Sequence, residues 1–248
     1  MQARDIMTRG VVTVRPDTPL PDVAGALITH RISGVPVVDA AGQVVGIISE
    51  GDLYRRPELG TERPRRRWVE FFTSNAALAR DYVHTHGHKA ADVMSRRVVQ
   101  VLPDTPVSEI ADIFERRNIK RVPVVDGGRL VGIVSRSNLV QALASGQPGV
   151  ATAAEVDRRI REDLMREYAS QPWGERFDSN VIVTDGVVHL WGIVDSPTET
   201  EALRVVAEAV PNVKQVVDHL TVLEPDPDWR WRGEAGSMSG AAAGTGRT

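Results

Sequence analysis

Cysteine is absent from this chain of 248 residues, which excludes disulfide bonds, thiol catalysis and cysteine-ligated zinc. A charge excess is also missing, because the net charge of -3 is too small to indicate nucleic acid or an anionic membrane as the main partner. No apolar run approaches the roughly 20 residues that span a bilayer, and the first residues lack the apolar core of a signal peptide. These absences predict a cytoplasmic globular protein.

Catalytic motifs are missing as well. The chain contains no nucleophile with a local motif, no Walker loop, no dinucleotide-binding glycine pattern and no paired-carboxylate signature. His84, His86 and His88 alternate as metal ligands on a strand would, but a polar loop without a metal is the favoured interpretation. The sequence therefore predicts a binding protein with no catalytic residues, no bound metal and no resident cofactor.

What the chain does contain is one pattern that occurs twice. In residues 3–53 the pattern comprises Ala3–Thr8, Pro16–Thr18, Gly34–Asp39 and Gly46–Leu53, and in residues 90–139 it comprises Ala90–Ser95, Pro103–Thr105, Arg121–Asp126 and Gly132–Leu139. Apolar spacing and turn residues predict β-α-β-β-α for each copy. Because each copy presents one apolar sheet face, we expect a pseudo-two-fold pair with clefts between the copies.

The rest of the sequence predicts a second, smaller domain. A helix with apolar spacing is followed by two strands around Asp185-Gly186, a helix that begins at Ser196-Pro197-Thr198-Glu199, and a last strand at Val213–Val222. This order is αββαβ, so the fold class is α+β throughout. The predicted boundaries are 1–54 for the first repeat, 55–89 for an insert, 90–146 for the second repeat, 147–154 for a linker, 155–225 for the small domain and 226–248 for a disordered tail.

The insert is expected to hold a basic loop and an amphipathic helix. Its Arg63–Arg67 cluster, followed by Trp68, could contact nucleic acid, could pair with the acidic small domain, or could be a solvated loop. The solvated loop is favoured and nucleic acid is the least expected partner.

The two repeats resemble CBS (cystathionine β-synthase) domains in the tandem arrangement called a Bateman module, over about residues 1–145 without the insert. The resemblance implies a non-catalytic regulatory module that binds an adenosine-containing ligand between its repeats. AMP, ADP, ATP and S-adenosylmethionine are the ligands expected. It also implies a homodimer, since such pairs often dimerise into a flat disc.

The family's nucleotide signature is glycine, two apolar residues, Ser or Thr, two variable residues and aspartate, and Gly46–Asp52 matches it completely. A carboxylate at Asp52 can accept hydrogen bonds from both ribose hydroxyls, the Ser49 hydroxyl can reach a phosphate, and Gly46 is expected to admit a flat base. The resemblance implies that the opposite repeat completes the site and that Lys120 and Arg121 lie near the phosphate. The predicted main site is Ile47, Ser49, Asp52, Val98, Val99, Val101, Ile119, Lys120 and Arg121.

The second cleft departs from the signature. Asn138 stands where aspartate is expected, and an amide offers one acceptor oxygen instead of two. Ser33 and Gly34, which face it, bring no cation of their own. A weaker or empty site is therefore expected at Val12, Thr13, Ser33, Gly34, Ile133, Ser135 and Asn138. A second interpretation stays open for both clefts. Ser49 and Ser135 then serve only as helix caps, and the two repeats form a scaffold that needs no ligand.

The small domain resembles a BON domain over about Glu155–Leu223. The resemblance is carried by Asp185–Val194, Glu199–Val210 and Val213–Asp218. It implies association with phospholipid or with other proteins of the bacterial envelope. Because acidic side chains outnumber basic ones in this domain, a protein partner is favoured over an anionic leaflet. The sequence thus predicts a bacterial regulatory protein in which nucleotide occupancy of the repeats is relayed to the BON domain; an envelope- or stress-associated interaction protein is the alternative.

Overall fold

The computed structural model describes residues 1–54, 61, 83, 85–146, 151–173 and 180–223. Most of the predicted insert, including Arg63–Arg67 and His84, lies outside the described residues, as does the predicted tail. The first repeat comprises α1 (Ala3–Ile6), α2 (Leu20–Thr29), β1 (Gly34–Val38), β2 (Val44–Ser49) and α3 (Glu50–Leu53). The second comprises α4 (Ala90–Val93), α5 (Val107–Arg117), β3 (Arg121–Asp126), β4 (Arg129–Ser135) and α6 (Arg136–Ala144).

Each repeat is built around an antiparallel hairpin. β1 pairs with β2 so that Gly34 lies opposite Ser49, and β3 pairs with β4 so that Arg121 lies opposite Ser135. The equivalent rungs of the two hairpins therefore hold the residues of the predicted clefts. The mixture of hairpins and packed helices confirms the predicted α+β class.

The predicted first strand of each repeat is reduced to a single bridge. Val14 pairs in parallel with β1. Its N–H donates to the Pro36 carbonyl at 3.1 Å, and its carbonyl accepts from the Val38 N–H at 2.9 Å. Extending this ladder toward Val12 would require an N–H from Pro36, and extending it in the other direction would require an N–H from Pro16. Proline has no N–H, so the ladder stops in both directions. Val101 repeats this arrangement in the second copy.

The two repeats exchange their first segments. The Ala3 N–H donates to the Thr105 carbonyl at 2.8 Å, and α1 is buried in the apolar core of the second repeat. In return, the Ala90 N–H donates to the Thr18 carbonyl at 2.9 Å, and α4 is buried in the core of the first repeat. The pair is therefore interlocked, and each core depends on residues from the other half of the sequence.

The C-terminal domain comprises α7 (Ala151–Ser170), β5 (Asn180–Thr184), β6 (Val187–Val194), α8 (Pro197–Ala209) and β7 (Gln215–Val222). The sheet order is β5-β6-β7, with β6 antiparallel to β5 and parallel to β7. Asp185 and Gly186 form the two-residue turn with positive φ, and the Ser196 hydroxyl accepts a hydrogen bond from the Glu199 N–H at 3.2 Å. Both local predictions are confirmed.

This domain is joined to the second repeat through the face of its sheet that lies opposite its two helices, here called the outer face. Both helices contact the sheet, and a buried core that includes Leu164, Leu190 and Leu203 lies on this side. On the other side, Ile182 of β5 is fully buried in the apolar core of the second repeat, and Trp191 of β6 packs against the same core. Within the described residues, no helix is both long enough and apolar enough to cross a bilayer.

Candidate functional site

Ser49 and Asp52 are held together at the end of the first hairpin. Ser49 is the last residue of β2 and the N-cap of α3. Asp52 accepts hydrogen bonds at Oδ2 from the Ser49 N–H at 2.8 Å and from the Ser49 Oγ at 2.7 Å. Both side chains are half-buried. The geometry fixes a carboxylate beside a hydroxyl, and it also shows that this pair caps the short helix.

Arg121 brings a cation from the second repeat to this point. Its backbone pairs with Ser135, but its side chain crosses to the first repeat, where Nη2 donates to the Ser33 Oγ. Its Nη1 lies directly over Gly34, so a Cβ at position 34 would be only 1.7 Å away. Because Gly34 is the rung partner of Ser49, the guanidinium lies beside the strand pair that carries Ser49.

The environment of this guanidinium is partly dry. Burial lowers the pKa of Arg121, and the nearby carboxylate of Glu50 opposes that shift. In the part of the chain that the structure describes, the buried Nη1 has no hydrogen-bond partner. A buried donor without a partner is costly, so an anion placed here would satisfy it. Ser33 and Gly34 bring no cation of their own, but Arg121 reaches them from the other repeat.

The other residues predicted for the main site are spread along the opposite wall. Val101 is buried in the apolar core of the second repeat, whereas Val98, Val99 and Ile119 are half-buried and Lys120 is exposed. Ile47 is half-buried, and its backbone exchanges two hydrogen bonds with Ser95, at 3.1 and 2.9 Å. The structure therefore joins Ser49 to Asp52 and places the Arg121 guanidinium at Gly34, the rung partner of Ser49, while the Lys120 side chain has no described contact with these residues.

The second cleft is built differently around Asn138. This side chain is 4% exposed, and its Oδ1 accepts hydrogen bonds from the Ser135 N–H and Oγ at 2.7 Å each. Its Nδ2 donates to the Thr8 Oγ1 at 3.2 Å, a bond that an aspartate could not make. Thr8 was missed by sequence reasoning, since it reaches the second repeat only through the exchange of α1. Of the other predicted residues, Val12 and Ile133 are half-buried and Thr13 is exposed.

The glycine of the signature serves packing. A Cβ at Gly46 would lie 2.3 Å from the Met94 Sδ, and a Cβ at Gly132 would lie 2.4 Å from the Met7 Sδ. Each methionine belongs to an exchanged segment, so the glycine makes room for the interlock of the two repeats. The expectation that Gly46 admits a flat base is therefore replaced by this contact.

Comparison with known families agrees with this architecture. The CBS domain model matches residues 3–58 and 90–145, and the BON domain model matches residues 156–224. The chain carries two CBS domains followed by a BON domain. The CBS pair is similar to the uncharacterized protein MJ1426 of Methanocaldococcus jannaschii, at 35% identity over 58% of this chain and 91% of that protein.

Two plant proteins are similar to the same half of the chain. Chloroplastic CBSX1 of Arabidopsis thaliana is 30% identical over 52% of this chain and 57% of its own length. The crystal structure of CBSX2, from the same plant, in complex with AMP superimposes with a TM-score of 0.51 at 27% identity, over 58% of this chain and 96% of that one. The CBS pair thus has a structural neighbour that binds an adenine nucleotide.

The BON domain contains a stacked group of rings on the outer face of its sheet. The Nδ1 of His189 and the Nε2 of His219 are 3.0 Å apart, and their rings are within 7° of parallel. Trp191 stacks on His219 with ring centroids 3.8 Å apart, and its Nε1 donates to the Ser145 Oγ of the CBS pair at 3.1 Å. One imidazole must donate and the other accept, so the pair is bonded only while one of them is neutral. The described residues contain no group of three or more His, Asp or Glu side chains placed to bind a metal.

This ring group predicts a loss of stability in mild acid. Burial, and then the neighbouring His219, lower the pKa of His189 below its usual 6.5. The unfolded chain therefore binds a proton at a higher pH than the folded chain does, and stability falls as the pH falls from about 6.5 through the lower folded pKa. We expect the thermal midpoint to decrease between about pH 7 and about pH 5.5, measured by circular dichroism.

The matched variants are His189→Phe and His30→Gln. The first removes the titrating group and should flatten the pH dependence, whereas the second changes a histidine of the CBS pair and should leave the dependence intact. An identical pH dependence in His189→Phe and in the unaltered chain would contradict the assignment to this pair.

Proposed function

We propose that this protein is a non-catalytic regulator that binds an adenine nucleotide in the cleft beside Asp52. The observation that carries the proposal is the Arg121 guanidinium, which crosses from one repeat to the other and presents a buried donor at Gly34, the rung partner of Ser49. The AMP complex of CBSX2 supports the same ligand class. Asp52 would accept the ribose hydroxyls, and Arg121 would exchange its bond to Ser33 for a stronger bond to phosphate.

The charge of Arg121 favours AMP, ADP and ATP over S-adenosylmethionine. The sulfonium of S-adenosylmethionine is a cation and would lie in the same partly dry cleft as the guanidinium. Like charges at close range in a medium of low dielectric repel. We therefore expect the phosphate-bearing ligands to bind more tightly.

The Asn138 cleft is proposed to bind weakly or not at all. Its amide is already committed to Ser135 and to Thr8, so a ligand would have to break internal hydrogen bonds in a buried place. This proposal gives each chain one nucleotide, bound asymmetrically in a pseudo-symmetric pair.

A ligand-independent scaffold is the competing function. The observation in its favour is the complete capping box formed by Ser49 and Asp52, which accounts for both residues without a ligand. In either case the homodimer, the cytoplasmic location and a protein partner for the BON domain stay predictions.

Thermal unfolding of the full chain with AMP, ADP, ATP and S-adenosylmethionine distinguishes the two functions. The decisive variant is Asp52→Asn, because the Ser135–Asn138 pair shows that an asparagine can keep the same capping box. We expect a nucleotide at about 100 times its Kd to stabilise the unaltered chain by about 2.7 kcal/mol, and we expect Asp52→Asn to lose that stabilisation.

Asp92→Asn is the matched control. Asp92 occupies the same N3 capping position in the four-residue helix α4 as Asp52 does in α3. It should therefore show any general effect of the substitution and keep the nucleotide response. No response to any of the four ligands in the unaltered chain would favour the scaffold.

A further inference from the structure

We propose that Arg161 couples the nucleotide cleft to the BON domain, acting as a positioning residue that holds α1 against β5. The inference rests on the proposed nucleotide site and adds the route by which its occupancy reaches the second domain. The route runs from the first strand of the second repeat to α1, and from α1 through Arg161 to the BON sheet.

The first step joins the cleft wall to α1. Val98, Val99 and Val101 lead directly into a turn at 102–105. α1 is hydrogen-bonded to that turn. The Ala3 N–H donates to the Thr105 carbonyl and the Arg4 N–H donates to the Pro103 carbonyl, each at 2.8 Å. A ligand that draws the wall toward Asp52 would therefore move α1 with it.

The second step joins α1 to the BON domain through the side chain of Arg161. Arg161 of α7 is 3% exposed, and its guanidinium donates to three carbonyls. Nη1 bonds the carbonyl of Arg4, within α1, at 2.9 Å, and Nη2 bonds the carbonyl of Met7, the C-cap of α1, at 2.7 Å. Nε bonds the Val181 carbonyl of β5 at 2.7 Å. A planar guanidinium holds these three acceptors in one fixed arrangement.

The charge of Arg161 strengthens these bonds. Burial, and then the neighbouring Arg9, lower the pKa of Arg161 to about 9, so the side chain is protonated at neutral pH. Hydrogen bonds from a charged donor are roughly twice as strong as those between neutral groups. Carbonyls at the end of a helix also lack partners within the helix, which makes the guanidinium their natural cap.

The third step is the rigid contact around β5. Ile182 is buried in the core of the second repeat, and the Asn180 Nδ2 donates to the Gln141 Oε1 at 3.0 Å. Asp5 of α1 also lies 3.6 Å from the Arg158 Nε of α7. A shift of α1 is thus opposed by packed contacts on both sides, and the BON sheet has to respond to it. The functional consequence is a BON domain whose local stability depends on the nucleotide.

The test is hydrogen exchange, followed by mass spectrometry, on the full chain with and without AMP. In the unaltered chain we expect AMP to slow exchange of the β5 and β6 amides by roughly 5- to 150-fold, the range of ordinary coupling between sites. In Arg161→Met we expect AMP to bind with unchanged affinity, measured by calorimetry, and to leave exchange in β5 and β6 unaltered. Arg166→Met, an exposed arginine of the same helix, is the control and should behave like the unaltered chain.

Each other outcome contradicts one part of the argument. AMP binding without any change in β5 exchange overturns the relay and leaves the nucleotide site standing. A chain that binds none of AMP, ADP and ATP overturns the nucleotide site, and the relay falls with it. An AMP effect that survives in Arg161→Met shows that Arg161 is not the coupling residue. If Arg161→Met does not fold, Arg161→Lys takes its place, because it keeps the charge but its compact ammonium cannot reproduce the planar, spread donors of the guanidinium, and it should weaken the AMP effect.

Discussion

Replacing Ile182 by alanine is expected to destabilise the CBS pair as well as the BON domain, by about 2–5 kcal/mol. Ile182 lies in the BON sheet, but its side chain is fully buried in the apolar core of the second repeat. Removing it leaves a cavity in a core that Phe114 and Val122 also line. Because the core is shared, the cost should appear in both halves of the chain. Urea unfolding followed by circular dichroism gives the total, and hydrogen exchange in β3 and β4 gives the effect on the CBS pair.

Ile193→Ala is the matched control for this prediction. Ile193 lies on β6 of the same sheet, but it is 42% exposed and has no part in the shared core. Its loss should cost much less and should leave β3 and β4 unaffected. A result in which Ile182→Ala weakens only the BON domain would show that the two halves unfold independently.

Asp157→Ala is expected to cost the BON domain about 3–6 kcal/mol, since it loses two hydrogen bonds to a charged group and each contributes about 1.5–3 kcal/mol. Asp157 of α7 is 6% exposed. Its Oδ2 accepts from the Asp185 N–H at 2.8 Å and its Oδ1 accepts from the Gly186 N–H at 2.7 Å. These donors form the turn between β5 and β6, so the substitution leaves two backbone groups of a tight turn without their acceptor.

The surface acid Asp163 provides the comparison for Asp157. Asp163 lies on the same helix, is 48% exposed and pairs with Arg166 at 2.9 Å. An exposed pair of this kind contributes about 0–1 kcal/mol, so Asp163→Ala should be nearly neutral. Asp157→Asn should fall between the two, because an amide keeps one acceptor oxygen. Equal stability of Asp157→Ala and Asp163→Ala in urea unfolding would show that the turn does not depend on Asp157.

Features encoded by neighbouring residues could be predicted from the sequence. The Asp185-Gly186 turn, the Ser196 cap and the order of elements in each repeat follow from local backbone preferences and apolar spacing. The capping pair at Ser49 and Asp52 is also local, since the two residues are three positions apart. The repeated pattern was enough to indicate a CBS pair, and the last part of the chain was enough to indicate a BON domain.

Contacts between distant parts of the chain could not be predicted. The exchange of α1 and α4 gives Gly46 and Gly132 a packing role that no local pattern reveals. Arg121 was expected near the main cleft, but its reach to Ser33 depends on how the two repeats face each other. The first strand predicted for each repeat is only a single bridge, because the positions of Pro16 and Pro36 matter only once they face a ladder.

The sequence by itself determined the two modules, their order, and their turns and caps. These depend on short-range preferences that each segment carries with it. Only the tertiary structure decided which core α1 enters and which repeat the Arg121 side chain contacts. It also decided that Arg161 and Ile182 join the BON domain to the CBS pair. Those outcomes depend on burial and on unpaired backbone carbonyls far apart in the chain, and such groups find their partners only when the whole chain has packed.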